Sequence, residues 1–324
     1  MRLYKLPEQL TERTDLFEKY GDSLGTLLFR RGFKSQEELD HFITGTDTIL
    51  RDIFDIQTAA KEILLSCEQK QKVCVYGDYD VDGLVATSIL WQYLYRVLKA
   101  DAQVYIPSRH EEGYGINEDA VKELIEKGVN VVISVDCGIR DVDLIEKYKD
   151  KIKFIITDHH QPGDKIPSVT VVHPLYPGRE SANKFTSGAV VAWKLIQELE
   201  HQRGKQDFSD SVLDLVALTL ITDIMPLTGE NRTILKKGLA KAQSDPSLSI
   251  KTILTQAQAK TDKIDPYHFG FIIGPRLNAA GRIGDPYESL RALSTQDTNA
   301  LQKIAAKLDQ VNRQRQDLLW SSLK

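Results

Sequence analysis

Three aspartates at alternate positions, Asp78, Asp80 and Asp82, follow the apolar run at residues 73–77 and lead into Gly83. Repulsion and desolvation both oppose crowding like charges so tightly, and a hard divalent cation is the natural compensation. Asp-x-Asp-x-Asp-Gly also opens a calcium-binding EF-hand loop, but the glutamate required at its twelfth position is Ile89 here. A strand pattern also stands where the leading helix of that loop belongs. An Asp-rich turn is the plainer alternative, because Asp and Gly are ordinary turn residues.

Asp136 closes the run 131–135 and precedes Cys137-Gly138. Alone, it reads more readily as the N-cap of the next helix than as a ligand. Asp158-His159-His160 follows the run 154–157, and two imidazoles beside a carboxylate at a strand end form a metal-ligand or acid/base cluster. Asp223 ends the apolar stretch 213–221, where a carboxylate needs a partner that a metal would supply. Arginine forks match phosphate oxygens, which makes Arg109, Arg276 and Arg282 candidates for holding a phosphate, with surface ion pairs as the alternative. Tyr114, flanked by Gly113 and Gly115, is suited to stacking on a base or to covering the core.

The elements that must position these groups alternate. Strands are expected near residues 73–77, 103–106, 131–135, 154–157 and 169–172, with helices near 83–98, 118–127, 142–148 and 188–200. Apolar strands separated by helices imply an α/β fold, with a mostly parallel sheet of five or more strands flanked by helices. In such sheets ligands sit beyond the carboxyl ends of the strands, and Asp78, Asp80, Asp82, Arg109, Tyr114, Asp136, Asp158, His159 and His160 each follow a strand. Residues 1–70 read as a helical lead-in, with helices near 24–31, 35–42 and 56–68. The α/β part occupies 71–230 and a helical part completing it 231–296. Residues 297–324 form a long connector helix with apolar positions Leu301, Ile304, Ala305, Leu308, Val311, Leu318 and Leu319.

A chain of 324 residues with 41% hydrophobic content supports about two domains with proper cores. Its first ten residues do not read as a signal peptide, and no apolar run approaches the roughly 20 residues that span a bilayer. A cytoplasmic protein without membrane contact is expected. Cys67, Cys74 and Cys137 show no Cys-x-x-Cys spacing, which speaks for free thiols. Residues 231–324 carry 15 Lys and Arg against 8 Asp and Glu. The remainder is acidic, a division that suits metal-assisted handling of a polyanion. No helix-turn-helix or zinc-finger spacing is present.

The runs Asp78 to Gly83, Asp136-Cys137-Gly138, Asp158-His159-His160 and Ala217 to Pro226, in that order, resemble the successive motifs of the DHH phosphoesterases. The Glu112-Gly113-Tyr114-Gly115 loop and Pro275 to Arg282 are most similar to the RecJ group, bacterial exonucleases specific for single-stranded DNA. No counterpart of that group's second lobe, with its Gly-Gly-His motif, or of its oligonucleotide-binding barrel occurs in the sequence. The resemblance implies a 5′-to-3′ exonuclease of DNA repair and recombination that releases mononucleotides using two manganese ions, with magnesium as the alternative. It implies that Asp136 bridges them, that Asp80 with Asp78 completes one site, and that Asp82, His159 and Asp223 complete the other. His160 would serve the scissile phosphate or leaving oxygen, and Asp158 would take part in catalysis or orient a histidine. Asn278 joins Arg109, Tyr114, Arg276 and Arg282 as a substrate contact. Single-stranded DNA is the expected partner of a monomer, with a single-strand-binding protein or helicase beside it. Two rivals remain: a relative acting on short oligonucleotides, cyclic dinucleotides or pyrophosphate, and a scaffold that has lost catalysis.

Overall fold

The computed structural model describes residues 14–45, 47–109 and 112–322. The lead-in forms α1 (Asp15–Arg30), interrupted at Gly21, then α2 (Gln36–Thr44) and α3 (Ile56–Glu68). Ser35 caps α2 by accepting the Glu38 amide. Five parallel strands follow: β1 (Val73–Tyr76), β2 (Ala102–Tyr105), β3 (Val131–Val135), β4 (Lys153–Thr157) and β5 (Thr170–Val172), in the order β2-β1-β3-β4-β5.

Side chains of a strand alternate between its faces, and the two faces here feed two cores. Val73, Val75, Val131, Ile133, Val135, Ile155 and Val172 join the larger core with α3, α4 (Val81–Gln92) and α7 (Gly188–Arg203). Cys74, Tyr76, Val132, Phe154, Ile156 and Val171 meet α5 (Glu118–Glu126) and α6 (Val142–Tyr148) on the other face. Both faces of β1 and β3 are buried, which is why those strands are continuously apolar instead of alternating.

Helices α8 (Leu213–Thr222), α9 (Gly229–Ser244), α10 (Leu248–Gln256), α11 (Gly274–Ile283), α12 (Pro286–Ser294) and α13 (Thr298–Ser322) complete the molecule. Helix α4 is buried on all sides, with α7, α8 and α12 packed around it. Leu301, Ala305 and Leu308 of α13 are buried against α10, α11 and α12, whereas Leu318, Leu319 and Trp320 near its end are exposed.

Two stretches depart from expectation. The helix expected at 83–98 starts at Val81 and ends in a π-helical turn at Tyr93–Val97. The Gly- and Pro-punctuated segment after Tyr267, inside the helical part expected at 231–296 but carrying residues that signal breaks, forms a π-helical turn, His268–Ile273, running into α11. Pro275 lies at the junction where the wider π-helical turn gives way to α11 and the regular hydrogen-bond ladder is already interrupted. Among the described residues no helix is long and apolar enough to cross a membrane.

Candidate metal centre

All the chemistry gathers at the carboxyl edge of the sheet. Beyond β1, Asp78 is buried, and Asp80 caps α4 by accepting the Asp82 and Gly83 amides at 2.9 and 3.2 Å. Asp82, in the first turn of α4, receives the Gly188 and Ala189 amides at the start of α7, at 2.6 and 2.9 Å. Helix N-termini favour anions, so α7 fixes this carboxylate. Beyond β3, Asp136 is buried with φ of 62°, a left-handed conformation that Asp tolerates better than most residues. Beyond β4, Asp158 accepts the His159 and His160 amides, the Ile139 amide and His160 Nδ1. From α8, Asp223 arrives as the C-cap.

His159 Nε2 lies 3.0 Å from Asp136 Oδ1, 3.6 Å from Asp82 Oδ2 and 3.7 Å from Asp223 Oδ2. Atoms about 2.1 Å from one ion are roughly 3 to 4 Å apart, and these separations fit that spacing. Among the described residues three groups could each hold a cation: Asp78 with Asp80 and Asp136, Asp82 with His159 and Asp223, and Asp136 with His159 and His160. Asp78 Oδ1, Asp136 Oδ1 and Asp223 Oδ2 are buried without a hydrogen-bond donor. Buried polar atoms are normally satisfied, so three orphaned oxygens at one place mark where a cation belongs. The carboxylate–imidazole donor set suits manganese or magnesium.

The electrostatics agree. Burial first, then the neighbouring carboxylates, pushes Asp78 and Asp223 up to about 7 and drives Asp136 well above the carboxylate range. Asp158 moves the opposite way, to about 2: burial opposes this, but His160 and the Ile139 amide outweigh it. Asp158 is thus a stable anion whose contacts orient His160.

The structure also separates the expected substrate residues. Arg109 lies 5.3 Å from the Tyr79 ring centroid. Asn278 Oδ1 accepts the Val81 amide at 3.1 Å, steadying the start of α4. Arg282 lines a groove of about 420 Å³ with Asn278, Thr222, Phe271 and Arg315. Arg276 does not reach the centre. Its guanidinium is held by Asp309 at 2.7 and 2.9 Å and donates to the Ile272 carbonyl at 2.8 Å, tying α11 to α13. Tyr114, expected to offer its ring to a base, turns its hydroxyl inward, 2.9 Å from His160 Nδ1 and 3.2 Å from the Asp136 carbonyl.

Sequence reasoning missed several supports. A Cβ on Gly188 would lie 2.6 Å from Asp136 Oδ1, so only glycine lets α7 approach both aspartates. A Cβ on Gly281 would lie 2.3 Å from the Tyr79 carbonyl, so α11 presses directly on the loop after β1. His173, fully buried, contacts the His160 carbonyl through Nε2 at 2.9 Å. Ile224, next to Asp223, is 87% exposed with φ of 57°. A β-branched residue is strained there, and such strain gathers at functional sites. The available signal was a Gly immediately after a candidate N-cap, Ser187, at the mouth of an apolar helix.

The description "DHH family, N-terminal domain" matches residues 72–220. The single-stranded-DNA-specific exonuclease RecJ of Bacillus subtilis is 35% identical over 91% of this chain and 38% of its own length. Its Thermus thermophilus namesake is 34% identical over 94% of this chain and 44% of its own. The chain therefore spans about two fifths of these relatives. A crystal structure of exonuclease RecJ bound to manganese superimposes with a TM-score of 0.78 at 33% identity, covering 85% of this chain and 70% of the other. With the family description matched across the sheet and most of a solved RecJ chain overlaid on these strands and helices, the protein belongs to the DHH family and carries a RecJ-like DHH domain.

Proposed function

We propose that the chain hydrolyses phosphodiester bonds of single-stranded DNA from the 5′ end, releasing 5′-mononucleotides, in DNA repair and recombination. The meeting of Asp78, Asp80, Asp82, Asp136, His159 and Asp223 around orphaned carboxylate oxygens carries this reading. The choice of single-stranded DNA rests on the relatives that share the domain. We place the protein in the cytoplasm, as a monomer working beside a single-strand-binding protein or helicase.

Two divalent ions held there would lower the pKa of a bound water and offset charge on the phosphate. Asp78, Asp80 and Asp136 would hold one, and Asp82, His159 and Asp223 the other. Asp136 links the two groups through the 3.0 Å approach of its Oδ1 to His159. The α7 amides keep Asp82 in place without competing for a proton. With His160 Nδ1 engaged by Asp158 at 2.8 Å, Nε2 is the atom left for a phosphate or leaving oxygen. Arg109, 5.3 Å from the Tyr79 ring centroid, and Arg282, in the groove it lines with Thr222 and Asn278, would be the candidates for the terminal phosphate.

The deciding experiment is digestion of a 5′-phosphorylated single strand with manganese, comparing the wild type with Asp136→Ala. Mononucleotides are expected from the first and none from the second. Equal activity in both would remove Asp136 from the reaction. A wild type that cleaves dinucleotides but not long strands would move the substrate to short oligonucleotides.

A further inference from the structure

Tyr114 stands on an arch with Gly113 and Gly115 on either side, at φ of 80° and 91°. The arch is pinned at both ends. On one side the Glu112 carboxylate accepts from the Ser108 amide at 2.6 Å, the Tyr105 hydroxyl at 2.7 Å and Asn117 Nδ2 at 2.6 Å. On the other, Asp141 Oδ2 accepts the Ile116 amide at 2.7 Å and the Tyr76 hydroxyl donates to the Gly115 carbonyl at 3.2 Å. A tyrosine mounted to stack on a passing base needs an open ring face and no particular place for its hydroxyl. Here the residue is 47% exposed, but the hydroxyl is committed: 2.9 Å from His160 Nδ1, 3.4 Å from Nε2 and 3.2 Å from the Asp136 carbonyl.

We propose that Tyr114 is a positioning residue, whose hydroxyl aims His160 at the scissile phosphate by bridging that imidazole to the backbone of Asp136. The proposal rests on the phosphodiesterase reading above and assigns a role to a side chain that the reading would otherwise treat as a base platform. Its hydroxyl donates to the Asp136 carbonyl at 3.2 Å, and its oxygen, within 3.4 Å of both ring nitrogens, rests against the side of the His160 ring while the Nδ1 proton goes to Asp158 Oδ1, 2.8 Å away. A ring held by one acceptor can pivot about that bond. The second oxygen and the edge-on ring contact, with centroids 5.3 Å apart at 66°, remove that freedom. Catalytic geometry is sensitive to such slack, because small misplacements cost rate and not binding. The carbonyl contact also couples His160 to the residue that joins the two cation groups.

The test compares Tyr114→Phe, which removes only the hydroxyl, with Tyr114→Leu, which removes the ring. With a 5′-phosphorylated strand and manganese, Tyr114→Phe is expected to lower kcat by about 10- to 100-fold. KM and manganese affinity, measured by calorimetry, stay unchanged. In a His160→Ala background the same change adds no further loss, because groups acting as one unit are non-additive. In the metal-free protein, the His160 ring resonances in a nitrogen-15 spectrum shift in Tyr114→Phe while those of His201 do not. Wild-type kcat with an unshifted His160 signal would overturn the proposal, as would a KM increase confined to Tyr114→Leu, the signature of a base platform. A wild type that does not cut DNA would count against the substrate reading alone, and the spectrum would then decide the role of Tyr114.

Discussion

The Gly188 amide donates to Asp82 Oδ2 at 2.6 Å across 106 residues of sequence. That contact exists because residue 188 has no side chain, and a methyl group there would meet Asp136 Oδ1 at 2.6 Å. Gly188→Ala is therefore expected to push α7 away from both aspartates and weaken manganese binding by about 10- to 100-fold, as loss of a ligand-orienting contact does. Isothermal titration of the metal-free protein measures this, and wild-type affinity in the variant would show that the approach of α7 is slack.

Metal removal gives the second prediction. Desolvation and mutual repulsion weigh on Asp78, Asp136 and Asp223, and a bound cation relieves both. Manganese at about 100 times its dissociation constant adds about 2.7 kcal/mol to folding stability. Thermal melting with and without manganese should show that gain, and Asp136→Asn should diminish it. Calcium, which prefers more oxygen ligands than these groups offer, should give a smaller one.

Arg276 sits in an ion pair with Asp309, and both side chains are largely buried. Arg276→Ala leaves Asp309 with Arg313 alone and should lower unfolding free energy by about 2 kcal/mol, below the cost of breaking a fully buried pair because solvent partly screens this one. Urea titration reads the loss. KM for a single strand should stay at the wild-type value; a rise would return Arg276 to the substrate.

His173 sets an acid limit. Burial depresses its pKa to about 4, below the usual value of about 6.5. Between these values the unfolded chain binds more protons than the folded one, so stability is complete above pH 6.5 and falls as pH drops towards 4. The loss attributable to this residue is about 3 kcal/mol. Urea midpoints at pH 7 and pH 4.5 should differ less in His173→Gln than in the wild type.

The sheet was legible because β1, β3 and β4 are short apolar runs ending in acidic residues, and a parallel sheet delivers whatever follows its strands to one edge. Asp78, Asp136 and His159 were visible for the same reason. What stayed hidden depends on contacts that leave no local trace. The double duty of Asp80 as helix cap follows from α4 starting earlier than its apolar pattern. The partner of Arg276 is a residue on a different helix. Glycines and a proline concealed α11, since those residues signal breaks, whereas Gly281 is there so that the helix can touch the Tyr79 carbonyl.

That touch, with the Asn278 contact to the Val81 amide 197 residues away, has a consequence for biosynthesis. The sheet is complete once residue 172 has emerged from the ribosome, yet the loop after β1 gains its brace only when residues 278–281 follow. Synthesis runs from the N-terminus, so Asp78 and Asp80 wait for their α11 brace until about a hundred residues after the last strand of the sheet.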